Sequence, residues 1–184
     1  MKKKFCIFLS AIILITGCSS KTKDTKADLL DNQYQLTATD GSKLLIALPE
    51  DYVAENDEKE QSALKAYYCS NKTEPLTLHY FKETKEYTVK DIQSELDSFE
   101  SQYQILVDSN DGTIDSSTGL TKLTVGDQTG QYIALTYTLD KHTSYCAEFY
   151  LQQEDYVLHG TQRLNEKPEE DVPAFLKKVL LSTE

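Results

Sequence analysis

Glycine and histidine are scarce in this sequence, and the motifs that depend on them are missing. Only seven of the 184 residues are glycine, and neither Gly-x-x-x-x-Gly-Lys nor Gly-x-Ser-x-Gly occurs. A phosphate-binding loop requires the first pattern, and a hydrolase nucleophile elbow requires the second. The three histidines, His79, His142 and His159, form no His-x-x-x-His pair that would suit zinc. The sequence therefore predicts no catalytic residues, no metal site, no cofactor and no enzyme activity.

Positive charge is also in deficit. The chain has 19 lysine and arginine residues against 30 aspartate and glutamate residues, which gives a net charge of −11. Nucleic-acid phosphates require a positive protein surface, so this composition excludes nucleic acid as a partner. It also argues against a folded body that lies on an anionic membrane surface.

No apolar run in the sequence is long enough to cross a bilayer. The run from Phe5 to Ile15 has eleven residues and is broken by Ser10, whereas a transmembrane helix needs about 20. Three lysines precede this run and Gly17 follows it, which is the order of a secretory signal peptide. The residues Ile15-Thr16-Gly17-Cys18 resemble the lipobox of bacterial lipoproteins. We therefore predict a signal peptide at residues 1–17.

The lipobox resemblance implies a lipid anchor on Cys18. It implies cleavage before this cysteine, a diacylglycerol on its sulfur, and palmitate among the acyl chains. Each buried methylene contributes about 0.8 kcal/mol, so two or more chains hold a protein firmly at a membrane. The expected location is the extracytoplasmic face of the cell membrane. The alternatives are a secretory signal without a lipid and an uncleaved N-terminal anchor.

The predicted organisation beyond the signal peptide is a tether and one domain. Residues 18–33 are polar and rich in Lys, Asp and Thr, which is typical of a flexible segment, and residues 34–184 form the folded body. Removal of residues 1–17 leaves 16 basic and 30 acidic residues, a net charge of −14. The mature chain is then an acidic body on a basic stalk.

Two cysteines remain in the predicted body, Cys69 and Cys146. A pair of cysteines outside the cytoplasm is a candidate for a disulfide. Two free, partly buried thiols are the alternative, and the sequence leaves both open.

Short strands with turn residues between them make up most of the body. Asp40-Gly41 separates two apolar-alternating segments and predicts a hairpin. Further strands are predicted at 63–69, 76–81, 119–125, 131–139, 143–152 and 155–164.

Two helices are predicted. Apolar residues recur every three or four positions from Thr88 to Tyr103, with Asp91 placed to complete a capping box. Residues 104–108 are predicted to return to extended structure. A last helix is predicted to begin at Pro168, with acidic residues in its first turn and Lys177 and Lys178 near its end.

This order of elements predicts an α+β fold, an antiparallel sheet with a mid-chain helix and a C-terminal helix packed on it. It resembles the Mog1/PsbP-like group of α+β proteins. The resemblance rests on the strand that closes in Leu48-Pro49-Glu50-Asp51-Tyr52, the helix after residues 76–81, the hairpin at 130–152 and the helix that ends at Leu181. The resemblance implies no shared catalytic residues. A lipocalin-like β-barrel is the alternative fold.

Twelve tyrosines and no tryptophan distinguish the composition. Tyrosine suits a half-buried strand, so a structural role is the simplest interpretation. The functional interpretation is an aromatic surface for a partner, for which Tyr67, Tyr145 and Tyr150 are the candidates.

The sequence thus favours a membrane-anchored, extracytoplasmic, non-enzymatic binding or accessory module whose partner is a protein, peptide or polysaccharide. Two alternatives remain. One is a small-ligand carrier with a pocket between helix and sheet, and the other is a hydrolase with a dispersed site.

Overall fold

The computed structural model describes residues 29–180 with the exception of Asp57. The predicted signal peptide, Cys18 and most of the predicted tether lie outside the described residues. In chain order the strands are β1 Gln33–Thr37, β2 Lys43–Ala47, β3 Tyr52–Ala54, β4 Glu60–Gln61, β5 Ala63–Tyr68, β6 Pro75–Lys82, β7 Thr113–Ser117, β8 Thr121–Val125, β9 Gln128–Leu139, β10 His142–Gln153 and β11 Tyr156–Leu164. The helices are α1 Val89–Asp108, between β6 and β7, and α2 Val172–Val179, after β11.

An eight-stranded antiparallel sheet forms the centre of the molecule. Its strand order is β3-β5-β6-β11-β10-β9-β7, and β8 also pairs with β9. Tight hairpins connect the long strands; at the β9–β10 turn, Asp140 and Lys141 have φ values of 49° and 68°. Positive φ at both turn positions matches the right-handed twist of the paired strands. The sheet stays open, with β3 at one edge, so the α+β prediction is confirmed and the lipocalin-like barrel is wrong.

One face of this sheet, here called the inner face, is covered by a second layer. The second layer consists of α2 and a small sheet of order β2-β1-β4. Of this small sheet, only the hairpin at Asp40-Gly41 is predicted from the sequence. Phe149 lies fully buried at the centre of the inner face. Its ring lies directly on Gly160, because a Cβ atom added there would be 2.4 Å from the Phe149 Cζ.

The opposite face, here called the helix face, is covered by α1 over β9, β10 and β7. The predicted N-terminus of this helix is confirmed: the backbone N–H of Thr88 donates to the Asp91 carboxylate at 2.7 Å. The helix continues to Asp108, so the predicted return to extended structure at 104–108 is wrong. Val107 is buried four residues after Tyr103 and extends the same apolar stripe, which explains the longer helix.

One further boundary and one strand differ from the sequence prediction. Helix α2 begins at Val172, after Asp171, whose carboxylate accepts a hydrogen bond from the Ala174 N–H at 2.9 Å. A capping aspartate favours the start of a helix more than Pro168 does. Pro173 lies in the first turn, where a backbone N–H would have no intrahelical partner, so proline is tolerated there. Strand β7 was not predicted, because its side chains are mostly exposed and only backbone pairing with β9 defines it.

Candidate functional site

The three tyrosines predicted to form a partner surface are buried instead. Tyr67, Tyr145 and Tyr150 are 8%, 5% and 4% exposed. Tyr145 packs in the inner-face core, whereas Tyr150 packs in the core beneath α1, and the strand register places Tyr67 on that same helix face. The prediction is wrong for Tyr145 and Tyr150 because the layers on the two faces of the sheet cover them. Tyr67 is buried by its neighbours, since its hydroxyl donates to Glu55 and the Lys65 ammonium lies over its ring.

Of the two alternatives for Cys69 and Cys146, the disulfide is wrong. Cys69 is exposed and Cys146 is buried, and both are free thiols. Cys146 lies on β10 and Cys69 follows β5, with β6 and β11 between these two strands. Three strand spacings amount to about 14 Å, twice the roughly 7 Å between Cα atoms that a disulfide tolerates. Burial raises the pKa of the Cys146 thiol to about 12, although Tyr103 and Arg163 nearby oppose the shift.

A cleft of about 330 Å³ lies where the inner face meets the start of α2. Its aromatic wall is formed by Tyr52, Tyr68 and Phe175, with Tyr52 between the other two at ring-centroid distances of 5.4 and 5.8 Å. The Gln162 side-chain N–H donates to the Tyr52 hydroxyl oxygen at 2.6 Å. Burial raises the pKa of Tyr52 to about 12, so its hydroxyl stays protonated and can donate a hydrogen bond.

Glu74 contributes a carboxylate to the same cleft. The residue is 7% exposed, and its oxygens accept hydrogen bonds from the Asn165 backbone N–H at 2.7 Å and from the Asn71 amide at 2.8 Å. None of the ion pairs between residues that the structure describes includes Glu74. A buried carboxylate is costly unless hydrogen bonds or a cation compensate it. Here hydrogen bonds from neutral groups are the only compensation within the described part of the chain.

The charge of the cleft is negative. Five carboxylate residues line it, together with two lysines: Asp51, Glu74, Glu166, Glu169 and Glu170, with Lys167 and Lys178. One lysine is already engaged, since Lys178 forms an ion pair with Glu170. An aromatic wall under a negative potential suits a positively charged group, which aromatic faces attract through their quadrupole.

A second polar cluster lies on the helix face. Glu95 on α1, Glu148 on β10 and His159 on β11 each offer one ligand atom, and these atoms all lie within 4.8 Å of one another. The His159 Nε2 is 3.0 Å from a Glu148 oxygen. Glu95 is exposed, whereas the side chains of His159 and Glu148 keep 16% and 11% of their accessible surface. Carboxylate and imidazole groups in this arrangement can hold a divalent metal ion.

Charged neighbours of this cluster shift the pKa values of two residues beside it. Burial raises the pKa of Tyr87, and the charges of Glu95, Glu148 and Asp91 raise it further. His79 pairs with His159 across β6 and β11, and burial together with that neighbouring imidazole lowers the pKa of His79.

Sequence reasoning missed both sites, and the histidine spacing could not have revealed the second one. His142 lies exposed at the start of β10, on the β9–β10 hairpin, and is not a member of the cluster. One signal was available: Glu148 is the only charged residue in the apolar segment Tyr145–Leu151, where a charge is expected to have a partner.

Neither of the helices within residues 29–180 is both long and apolar enough to span a membrane. No protein-family model matches the chain, and a search of curated proteins found no similar sequence.

Two solved structures are similar to this chain at low identity. One is a crystal structure from Bacteroides thetaiotaomicron VPI-5482, with 14% identity and a TM-score of 0.43 over 74% of this chain. The chain spans only 42% of the length of that protein. The other is the solution structure of cyanobacterial PsbP (CyanoP) from Synechocystis sp. PCC 6803, with 9% identity and a TM-score of 0.33, covering 81% of this chain and 85% of that one. At these TM-scores the similarities establish neither family nor function, and the Mog1/PsbP-like resemblance stays a prediction.

Proposed function

We propose that this protein is a membrane-anchored, extracytoplasmic, non-enzymatic binding protein that takes an organic cation in the cleft between α2 and the sheet. The observation that carries the ligand class is Glu74, a buried carboxylate without a described cationic partner, next to an aromatic wall. The location rests on the lipobox resemblance at Cys18. This proposal combines the predicted binding role with the alternative of a pocket between helix and sheet.

The size and composition of the cleft support a small ligand. Its volume of about 330 Å³ is at the lower end of the range for small-molecule sites, roughly 300–1,000 Å³. Tyr52, Tyr68 and Phe175 offer ring faces or edges to the apolar part of a ligand, and Glu74 offers a counter-charge to its ammonium or guanidinium group. An anionic ligand would meet repulsion from the surplus of carboxylates.

The ligand class is tested with choline and its uncharged isostere 3,3-dimethylbutan-1-ol. Titration calorimetry on the full chain is expected to detect choline and not the alcohol. Glu74→Gln keeps the side-chain shape and removes the charge, so it should weaken choline binding by about tenfold or more, equivalent to about 1.4 kcal/mol. Glu86→Gln, an exposed substitution outside the cleft, is the matched control.

Equal heats for choline and the alcohol, or an unchanged choline affinity in Glu74→Gln, would show that the cleft is not a cation site. A second variant, Tyr68→Leu, guards against a fold defect in Glu74→Gln. It removes one ring of the aromatic wall and is also expected to weaken choline binding, because it removes a cation–π contact.

The anchor is tested separately in a bacterial host. Cys18→Ala is expected to abolish incorporation of labelled palmitate and to move the protein from the detergent phase to the aqueous phase. Cys69→Ala is the control, because Cys69 is an exposed thiol of the folded body, and it should leave both readouts unchanged. Continued detergent partitioning of the Cys18→Ala protein would contradict a lipid anchor at this residue.

A further inference from the structure

We propose that Glu95, Glu148 and His159 form a binding site for a first-row divalent metal ion, with zinc as the probe of choice. This site lies on the helix face, and the proposed cation cleft lies at the end of the inner face, so the two proposals stand or fall independently.

The separation of the ligand atoms suits coordination. Zinc bonds to imidazole nitrogen and carboxylate oxygen of about 2.0–2.2 Å place neighbouring ligand atoms about 3.4 Å apart in a tetrahedron. The Nε2 of His159 and one Glu148 oxygen are already 3.0 Å apart, and the Glu95 oxygen lies within 4.8 Å of both. Glu95 is exposed on α1, so its side chain has room for a rotamer change that brings the carboxylate inward.

The charge balance favours a cation at the same point. Glu95 and Glu148 bring two carboxylates within 4.8 Å of each other, and like charges at this distance repel. Among the described ion pairs, His159 is the only basic partner of Glu148, and none of them includes Glu95. A divalent ion would remove the repulsion, because it binds both oxygens and the neutral imidazole at once.

The ligand types select the class of metal. Imidazole suits zinc and other first-row transition metals, whereas calcium and magnesium prefer sites made of oxygen alone. Three protein ligands at a surface with an exposed member leave the remaining coordination position to water. The two backbone elements under the site are rigid, because β10 and β11 pair over nine residues in continuous register.

Calorimetric titration of the full chain with Zn²⁺ under reducing conditions tests the proposal. Glu95→Gln and His159→Gln should each raise the Kd for Zn²⁺ by at least about tenfold, because loss of even an outer-shell partner of a metal commonly costs that much. Glu100→Gln on α1, where Glu100 contacts Ser117, and His142→Gln in the hairpin are the matched controls and should retain the wild-type Kd.

Histidine ring NMR distinguishes a metal site from a purely structural ion pair, because Zn²⁺ would not change the ring signals of a histidine that only forms an ion pair. The chain has three histidines, and Zn²⁺ should shift the ring signals of His159 while those of His142 remain in place. In Glu95→Gln, whose exposed position leaves the fold intact, the His159 shift should require at least tenfold more Zn²⁺.

Three results would overturn the proposal. They are the absence of Zn²⁺ binding up to millimolar concentration, an equal Kd in wild type and Glu95→Gln, and a Zn²⁺ titration that leaves the His159 ring signals unchanged. Binding by the cysteine thiols would produce the second and third results.

Discussion

The two faces of the central sheet are made by the same strands, but their chemistry differs. On the inner face, alternate residues of β6, β10 and β11 meet apolar side chains of a small sheet and of α2, and Phe149 is completely buried. On the helix face, one helix covers part of the surface, and the same strands carry Glu148, His159 and the buried thiol of Cys146. The centre of the face that two elements cover is apolar, and its polar groups lie at the end that forms the cleft. The partly covered face holds titratable groups under and beside the helix.

The largest expected effect follows from the difference in burial between the two faces. Phe149→Ala should lower the free energy of unfolding by about 3–5 kcal/mol, because it opens a cavity over Gly160 in a site that cannot collapse. Phe99→Ala is the matched change on α1, where the ring is 8% exposed rather than fully buried. Urea denaturation should assign it the smaller loss. An equal or greater loss for Phe99→Ala would contradict the view that the inner face dominates stability.

A second prediction concerns the polar pair on the helix face. Glu148→Ala should cost about 1–3 kcal/mol of stability, because it leaves the imidazole of the half-buried His159 without its partner. Replacing both residues, Glu148→Leu with His159→Leu, should restore most of that loss, since apolar replacement of a buried pair is often neutral or stabilising.

Thermal or urea unfolding of the two variants sharpens the comparison of the faces. A stable double variant that no longer binds Zn²⁺ would indicate that the pair serves the proposed metal site rather than stability. A double variant less stable than Glu148→Ala would show instead that the pair is a structural element.

The third prediction concerns the two thiols of the folded body. Burial raises the pKa of Cys146 to about 12, so at pH 8 it is almost entirely protonated and its nucleophilic thiolate is rare. Iodoacetamide should modify exposed Cys69 in the native protein and Cys146 only after denaturation, as mapped by mass spectrometry of the peptides. A peptide in which Cys69 and Cys146 are linked would contradict the separation of β5 from β10.

The smallest expected effect concerns the contact between the two sheets at the β1–β2 turn. The Ser42 N–H and the Tyr156 hydroxyl donate to Asp40 at 3.1 and 2.8 Å and lower the pKa of its carboxyl from 3.8 to about 2. Because the pKa is lower in the folded state, the linked stabilisation is present above pH 3.8 and is lost as the pH falls towards 2.

Tyr156→Phe removes the second of these donors and should raise the pKa of Asp40 towards 3.8. Carboxyl NMR titration measures the shift, and Tyr87→Phe, on the other side of the sheet, serves as the control. An unchanged pKa of Asp40 in Tyr156→Phe would show that the Tyr156 hydroxyl on β11 does not stabilise the Asp40 carboxylate of the turn.

Local patterns were sufficient for most elements. The hairpin at Asp40-Gly41, the capped start of α1 and the long strands β9, β10 and β11 were predicted because turn residues, caps and apolar periodicity act within a few residues. The predictions that failed depended on distant partners. Strand β7 is defined by pairing with β9, and the extent of α1 depends on the burial of Val107.

The candidate sites show the same division. Glu95, Glu148 and His159 come from three separate elements, and only the order β11-β10 beneath α1 brings them together. The proposed disulfide and the proposed tyrosine surface both assumed that residues of different strands share one surface. The residues concerned were Cys69 and Cys146 for the first, and Tyr67, Tyr145 and Tyr150 for the second. The order of the strands and the layers that cover the sheet determine which residues share a surface, and local sequence patterns encode neither.

The sequence by itself determined the acidic charge, the absence of familiar catalytic motifs, the lipobox-like start and the α+β class, because each is encoded by composition or by neighbours along the chain. Only the tertiary structure decided which polar residues meet. Glu74 is buried beside Tyr52 and accepts a hydrogen bond from Asn165, 91 residues further along the chain. Glu95 comes close to Glu148 and His159 because α1 packs over the hairpin that carries these two residues. Contacts of that kind depend on the order of the strands and on the packing of the layers, so no local pattern can specify them.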